Sequence, residues 1–311
     1  MRWAMHGLII EGTTNDATLA GSWKRSFAPL SNVAAAPDIR CHLDLVERIP
    51  EPPHFEPVYV QEGLLSYYSR EDGVELYYPE FGRLIMDFRS GTTIGDFVHS
   101  CLETHGLLED FIASGLSPHL RRRGLFLVHA FAAAKGGRFA LLVGDIGAGK
   151  TTAGISLLDS GWRLMSNDSP IVTAGGRVLS YPGFLGAYPD TLAMFDSTKN
   201  LVPIPPDQRK KKEFAAESLW PNVWCDQAIP GVILFPQIQD SEHHSFHPLR
   251  KAETLGRLLP HTIESWDKPM LAPHLEVFEQ LVEVSPSYAL QLGRDVRALP
   301  ELIGKVIERV D

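Results

Sequence analysis

The sequence has few cysteines, and their arrangement argues against a thiolate metal site. Its 311 residues include only Cys41, Cys101 and Cys225, which are widely spaced and form no C-x-x-C pair. A zinc site built from cysteines needs such pairs, and a sparse, odd number of cysteines is typical of a reducing compartment. We therefore expect three core or surface thiols.

Long hydrophobic runs are also missing. The longest one, Leu125–Ala134, is interrupted by His129 and is too short to span a bilayer. The first ten residues contain Arg2 and His6 and do not resemble a signal peptide. These patterns predict a soluble, cytoplasmic protein without a membrane partner.

Positive charge is not in excess. The chain has 29 basic and 38 acidic residues and a formal net charge of −9, which argues against non-specific binding to nucleic acid. Its 44% hydrophobic and 22% charged residues are ordinary for a globular protein, and its length suits one domain plus a smaller one.

The pattern along residues 1–120 predicts a smaller α+β domain. Val74–Tyr78 is rich in strand-forming residues and follows a Glu-Asp-Gly turn signal, and Leu84–Phe88 is a second candidate strand. Apolar residues at helical spacing predict helices over Thr93–Glu103 and Leu107–Ser114.

Residues 121–311 read as an α/β nucleotide-binding domain, with the boundary near residues 120–124. A continuous strand is predicted over Leu125–Ala133, and a second strand over Arg138–Val143 follows a Lys-Gly-Gly turn. A glycine-rich loop, a helix over Thr151–Leu158 that ends near Gly161, and a strand at Arg163–Met165 come next. Later segments predict two strands and three helices: Gly231–Phe235, Tyr288–Leu292, Glu253–Leu259, Leu275–Val284 and Leu299–Val310.

The loop itself matches G-x-x-x-x-G-K-[ST], the phosphate-binding P-loop pattern. Glycines allow backbone N–H groups to turn inward around an anion, and the next helix directs its positive end to the same place. Lys150 would reach the β and γ phosphates, and the Thr151 hydroxyl suits Mg²⁺. The predicted cofactor-binding residues are Gly144, Asp145, Ile146, Gly147, Ala148, Gly149, Lys150, Thr151 and Thr152.

Asp168 is the best candidate for the partner of this loop. It lies just past the strand after the P-loop helix, where a carboxylate points toward the phosphates. It would bind Mg²⁺ or accept a proton from a hydroxyl substrate, although Asn-Asp-Ser-Pro is also good turn chemistry.

The segment Leu125–Val172 resembles the catalytic domain of HPr kinase/phosphorylase and its kinase-like relatives. The similarity rests on His129 in a strand, the P-loop Gly144–Thr151, the Gly-Trp-Arg-Leu sequence from Gly161, and the Asn167-Asp168 pair. Weaker similarity extends over Tyr181–Leu192, the basic cluster Arg209–Lys212 and the strand Gly231–Pro236.

This resemblance implies a phosphoenolpyruvate-carboxykinase-like P-loop fold and ATP-dependent transfer to a hydroxyl, usually that of serine. Lys150 would contact the phosphates, Thr151 would hold Mg²⁺, Asp168 would act as base or metal partner, and His129 would lie near the transferred phosphate. The acceptor would be a protein, a peptide or a small molecule, with a serine side chain preferred. Homo-oligomers are also implied, since relatives often form rings.

Asn167 stands where the family has the first of two aspartates. An amide oxygen still ligates Mg²⁺ but carries no charge and takes up no proton. This departure favours an alternative function, a nucleotide-binding regulatory or scaffold module with little phosphotransfer. An ATPase or GTPase switch ranks last, because the sequence contains neither N-K-x-D nor L-S-G-G-Q.

Other charged clusters allow two interpretations. Taken alone, His129 in an apolar strand is explained as well by a buried, hydrogen-bonded and inert side chain as by a residue of the site. The cluster Arg209–Lys212 forms either a solvated face or a phosphate contact. Arg121–Arg123 is expected to cap the preceding helix. The histidines His243, His244 and His247 are expected in a surface loop, since no partner motif supports a metal site.

Overall fold

A computed structural model describes residues 1–104, 106–207, 210–262 and 264–310. The chain folds as two compact units. The first contains Met1–Arg123 and Glu264–Pro269, and the second contains Gly124–Ile263 and Met270–Asp311. The sequence predicts one boundary, near residues 120–124, and does not predict that Glu264–Pro269 belongs to the first unit. The nucleotide-binding role expected for residues 121–311 stays a prediction.

The first unit is built on an eight-stranded mixed sheet in the order β1-β2-β3-β8-β7-β6-β5-β4. The contacts of β3 with β2 and β8 are parallel, and the other pairs are antiparallel. Its elements are β1 (Arg2–Met5), β2 (Leu8–Thr13), α1 (Ala17–Ser26), β3 (Ile39–Val46), β4 (Tyr59–Gln61), β5 (Leu65–Arg70), β6 (Gly73–Tyr78), β7 (Gly82–Asp87), β8 (Thr92–Val98) and α2 (Leu107–Arg121).

The predicted helix over Thr93–Glu103 is wrong. Residues up to Val98 form β8, and only His99–Glu103 is helical, as a 3₁₀ turn. Burial alternates along β8, so Phe97 points into the core and stacks on Phe111 at 3.7 Å between ring centroids, whereas Ile94 is half exposed. The β-branched residues of this segment favour a strand, and pairing with two neighbouring strands outweighs the accidental helical spacing.

The second unit contains a nine-stranded mixed sheet, in which β12-β10-β11-β17-β14-β13-β9 form a continuous path and β19 joins β17 to β18. A separate two-stranded sheet pairs β15 with β16. The elements are β9 (Phe126–Leu127), β10 (Ala130–Lys135), β11 (Arg138–Val143), α3 (Lys150–Asp159), β12 (Arg163–Ser166), β13 (Ile171–Thr173), β14 (Arg177–Leu179), β15 (Leu185–Ala187), α4 (Pro189–Ala193), β16 (Lys212–Phe214), β17 (Gln227–Ile238), β18 (Ser245–Pro248), α5 (Lys251–Leu258), α6 (Leu271–Val284), β19 (Ser287–Leu292) and α7 (Leu299–Ile307).

Both faces of this sheet are covered by helices. Phe131 and Ala133 of β10 pack in one hydrophobic cluster with residues of α3 and α7. Ala132 and its alternate neighbours on β10 pack in a second cluster with α5 and α6. A strand that is buried on both faces reads as a continuous apolar run, which explains why β10 and β11 stand out in the sequence. The mixed α/β class is therefore confirmed.

Two further observations concern the cysteines and the helices. Cys41, Cys101 and Cys225 are free and buried. Among the residues that the structure describes, no helix combines the length and apolar character that a membrane crossing requires.

Candidate functional site

The predicted phosphate loop joins the end of β11 to the start of α3. Gly147 and Gly149 have φ angles of +87° and +91°, which glycine adopts without strain. A Cβ on Gly149 would also lie 2.6 Å from Leu292 Cδ1, so no other residue fits there without a shift. Asp145 and Ile146 are exposed, and the N–H of Ala148 donates to the Asp145 carbonyl at 3.2 Å. The loop is therefore a tight turn with an exposed tip.

The N-terminus of α3 is open toward this loop. Gly149 is its N-cap and provides no side-chain hydrogen bond, and the first turn contains no acidic residue. The first N–H groups of a helix need partners, and the helix dipole makes this end attractive to anions. The loop and helix together form a place where a phosphate fits.

Lys150 is buried, with its ammonium group turned back onto the loop. Its Nζ donates to the carbonyl oxygens of Gly144 and Asp145, the latter at 3.1 Å, and lies 3.2 Å from Nε2 of His129. Burial lowers the pKa of Lys150, and the Lys211 cation lowers it further, while the carboxylates of Asp168 and Asp145 act in the opposite direction. The cation is thus held at the base of the loop by groups that a phosphate can replace.

His129 lies in the break between β9 and β10, so the predicted continuous strand over Leu125–Ala133 is interrupted. Its N–H donates to the carbonyl of His261 at 2.8 Å instead of continuing the sheet. Because an ammonium group has no acceptor, Nε2 of His129 must accept from Lys150, and the neutral ring then carries its proton on Nδ1. Burial and the Lys150 cation lower the pKa of His129, which favours this neutral form.

Asp168 and Asn167 follow β12 at the same edge of the sheet. The N–H of Ala130 donates to the Asp168 carbonyl at 3.1 Å, which ties this turn to the start of β10. Asp168 is exposed, and its carboxylate accepts a hydrogen bond from Nδ2 of Asn167. The Asp168 charge acts on both Lys150 and His129, raising their pKa values.

Among the buried side-chain polar atoms of this turn that the structure describes, the amide oxygen of Asn167 lacks a hydrogen-bond partner. Asn167 is 8% exposed, and its Oδ1 is buried without a hydrogen-bond partner. The amide orientation follows from the carboxylate beside it, which needs the NH₂ group. A buried oxygen without a donor is suited to a cation.

The two threonines of α3 have different surroundings. Thr152 Oγ1 lies 3.0 Å from Thr191 Oγ1, so this hydroxyl connects α3 to α4. Thr151 is half-buried in the first turn of the helix. The described residues include no group of three His, Cys, Asp or Glu side chains placed to hold a metal. The sequence-predicted Mg²⁺ ligands Thr151, Asn167 and Asp168 stay a prediction.

Lys211 brings part of the basic cluster to the site. It precedes β16, and a Cβ on Gly186 of β15 would lie 3.5 Å from its Cδ, so the glycine leaves room for the stem. Its Nζ lies 5.7 Å from the centroid of the Tyr188 ring, a cation–π contact. Its charge lowers the pKa of both Lys150 and His129. Arg209 lies outside the described residues.

Sequence reasoning missed His261. It ends a 3₁₀ turn, and its ring lies 6.3 Å from the His129 ring between centroids, at 29° between planes. Its Nε2 is 4.0 Å from Oδ1 of Asp145. No local motif marks this histidine, because its neighbours come from a distant part of the chain.

The remaining clusters have structural roles. Nε2 of His244 lies 2.7 Å from the Asp295 carbonyl and Nδ1 accepts from the Gly293 N–H, so this loop is held by hydrogen bonds. Arg122 and Arg123 donate to carbonyls in the last turn of α2, as expected for a cap, whereas Arg121 pairs with Asp267 and Glu264 instead.

Comparisons with known proteins place the chain only at a distance from them. No protein-family model matches it, and no curated protein has a matching sequence. Among solved structures, it is similar to the Hpr(Ser) kinase/phosphatase from Coxiella burnetii, with 11% identity, a TM-score of 0.32, and coverage of 58% of this chain and 93% of that one. The similarity is a distant structural one.

Proposed function

We propose that this chain is an ATP- and Mg²⁺-dependent kinase that transfers the γ-phosphoryl group to a hydroxyl, with serine of a protein or peptide as the preferred acceptor. One observation carries the proposal: the open N-terminus of α3, the buried Lys150 and the Asp168 carboxylate are grouped at one edge of the sheet. Phosphoryl transfer depends on positioning and on charge neutralisation, and these groups supply both.

Mg²⁺ fits this site because of the orphaned Asn167 oxygen. Thr151, Asn167 and Asp168 are oxygen ligands of the kind Mg²⁺ prefers, and the ion would neutralise charge on the phosphates when bound. The loop N–H groups would bind the phosphate oxygens. Lys150 would exchange its bonds to the Gly144 and Asp145 carbonyls for bonds to phosphate.

Transfer requires one proton acceptor. The acceptor hydroxyl oxygen would form a bond to the γ-phosphorus as the bond from this phosphorus to the β,γ-bridging oxygen breaks, releasing ADP. Asp168 would take the hydroxyl proton on the carboxylate oxygen that does not bind Mg²⁺, since this carboxylate is exposed and its charge acts on Lys150. Lys211, a cation supplied by the same chain, would offset negative charge on the transferred phosphoryl group.

The test is transfer of label from γ-labelled ATP with Mg²⁺ to serine-containing peptides and to matched alanine peptides. Lys150→Ala should abolish both transfer and ATP-induced thermal stabilisation, and Asp168→Ala should retain some binding while losing transfer. Lys305→Ala is the matched control, because Lys305 pairs with Glu301 on α7. Transfer at a near wild-type rate by the Asp168 variant would show that another group acts as base.

A regulatory or scaffold module is the second candidate, favoured by Asn167. Its uncharged amide leaves the metal site with one carboxylate fewer than the kinase-like pattern has. ATP binding without label transfer to any hydroxyl acceptor, and no gain of transfer in Asn167→Asp, would support the module over the kinase.

A further inference from the structure

His261 supports the site in two separable ways. Its backbone carbonyl accepts the His129 N–H at 2.8 Å and so fixes the break between β9 and β10. Its side chain does not take part in that bond. Removing the imidazole therefore leaves the support of His129 in place, and any effect of the removal reports on the ring itself.

The ring faces the mouth of the phosphate loop. Nε2 is 4.0 Å from Oδ1 of Asp145, which is beyond hydrogen-bond range. The Asp145 side chain is 95% exposed, whereas that of His261 is 15% exposed. The imidazole is thus packed in place with one nitrogen directed at the second residue of the loop and no hydrogen bond to it.

The surroundings favour an anion at this nitrogen. Burial lowers the pKa of His261, the Asp145 carboxylate acts in the opposite direction, and the Lys150 cation lowers it further. A neutral imidazole keeps one N–H donor, and beside a phosphate it gains a proton more easily. Lys150 donates to the Asp145 carbonyl and His261 lies near the Asp145 side chain, so a ligand phosphate at this end of the loop would have both groups nearby.

We propose that His261 is a phosphate-contacting residue that donates from Nε2 to the terminal phosphate of the bound nucleotide, which makes the site selective for a triphosphate over a diphosphate. This inference rests on the proposed function, because it requires a nucleotide on the loop. It assigns the ring to the phosphate farthest from the α3 N-terminus, which the diphosphate lacks.

The experiment is calorimetric titration of the full chain with Mg²⁺–ATP and Mg²⁺–ADP. His261→Ala should weaken ATP binding about 10-fold or more, as expected for a charge-assisted hydrogen bond, and leave ADP binding within about twofold. His261→Gln keeps an N–H donor and should recover part of the loss. His243→Ala, at an exposed histidine, is the matched control.

The outcomes separate the two ideas. If the wild-type chain binds neither nucleotide, the proposed function fails and this inference fails with it. If the wild type binds ATP and His261→Ala binds both nucleotides as tightly, the proposed function stands and the role of His261 is refuted. Equal losses for ATP and ADP would also refute it, because they would indicate a general structural role. Unchanged ADP binding shows in the same measurement that the variant is folded.

Discussion

The Asn167→Asp substitution tests the metal site without relying on activity. Asn167 is 8% exposed, and its Nδ2 donates to the Asp168 carboxylate. The new carboxylate would lose this hydrogen bond and face a like charge at close range. Two charges about 4 Å apart repel by about 4 kcal/mol at an effective dielectric of about 20, and by about 1 kcal/mol in water. Because Asp168 is exposed, we expect about 2 kcal/mol.

Such a loss corresponds to a lowering of the melting temperature by about 4–8 °C for a unit of this size. Melting curves in EDTA should show it, and Mg²⁺ should restore the variant more than it stabilises the wild type, because a cation between the carboxylates turns repulsion into binding. Asn222→Asp, the same change at an exposed position, is the control. An Asn167→Asp variant as stable as wild type in EDTA, or one indifferent to Mg²⁺, would refute the assignment.

Three further predictions concern the loop and the first unit. Gly149→Ala should destabilise the chain by about 1–3 kcal/mol and remove ATP-induced stabilisation in thermal shift, because φ is +91° and the new Cβ would lie 2.6 Å from Leu292. Asp267→Asn should cost about 3–5 kcal/mol in urea unfolding, since the buried carboxylate pairs with Arg121 and Arg122. Burial, aided by nearby arginines, lowers the pKa of His119 from 6.5 to about 4, so the unfolded chain takes up the proton first as the pH falls. Stability should drop by about 2 kcal/mol from pH 8 to pH 5, and His119→Gln should lack this part of the pH dependence in urea unfolding.

The elements around the phosphate loop were predictable because their signals are local. The strand Arg138–Val143 is confirmed with both ends, and the helix begins one residue earlier than predicted, at Lys150. Gly161 ends it, with its N–H bonded to the Leu158 carbonyl and that of Trp162 bonded to the Leu157 carbonyl. Glycine at positive φ and a doubly buried strand are properties that the sequence carries by itself.

Tertiary pairing determined the parts that could not be predicted. β8 contains apolar residues at a spacing that fits a helix, and only its position between β3 and β7 makes it a strand. His261 approaches the loop because its 3₁₀ turn accepts the backbone of His129, a contact without a sequence signal. The direction of the Asn167 amide, and hence its orphaned oxygen, depends on Asp168 beside it. The roles of the predicted site residues stay predictions.

The charge balance of the site determines what form of nucleotide it can accept. Lys150 lies within the electrostatic influence of one further cation, Lys211, and of two carboxylates, Asp145 and Asp168. These charges nearly cancel, and Lys150 already has carbonyl partners that a ligand must displace. A fully ionised triphosphate without a metal ion would gain little electrostatic binding free energy at such a site, and the Asp168 carboxylate would repel it. With Mg²⁺ bound to that carboxylate the repulsion becomes attraction, so we expect affinity for ATP to depend strongly on Mg²⁺ and to be weak in EDTA.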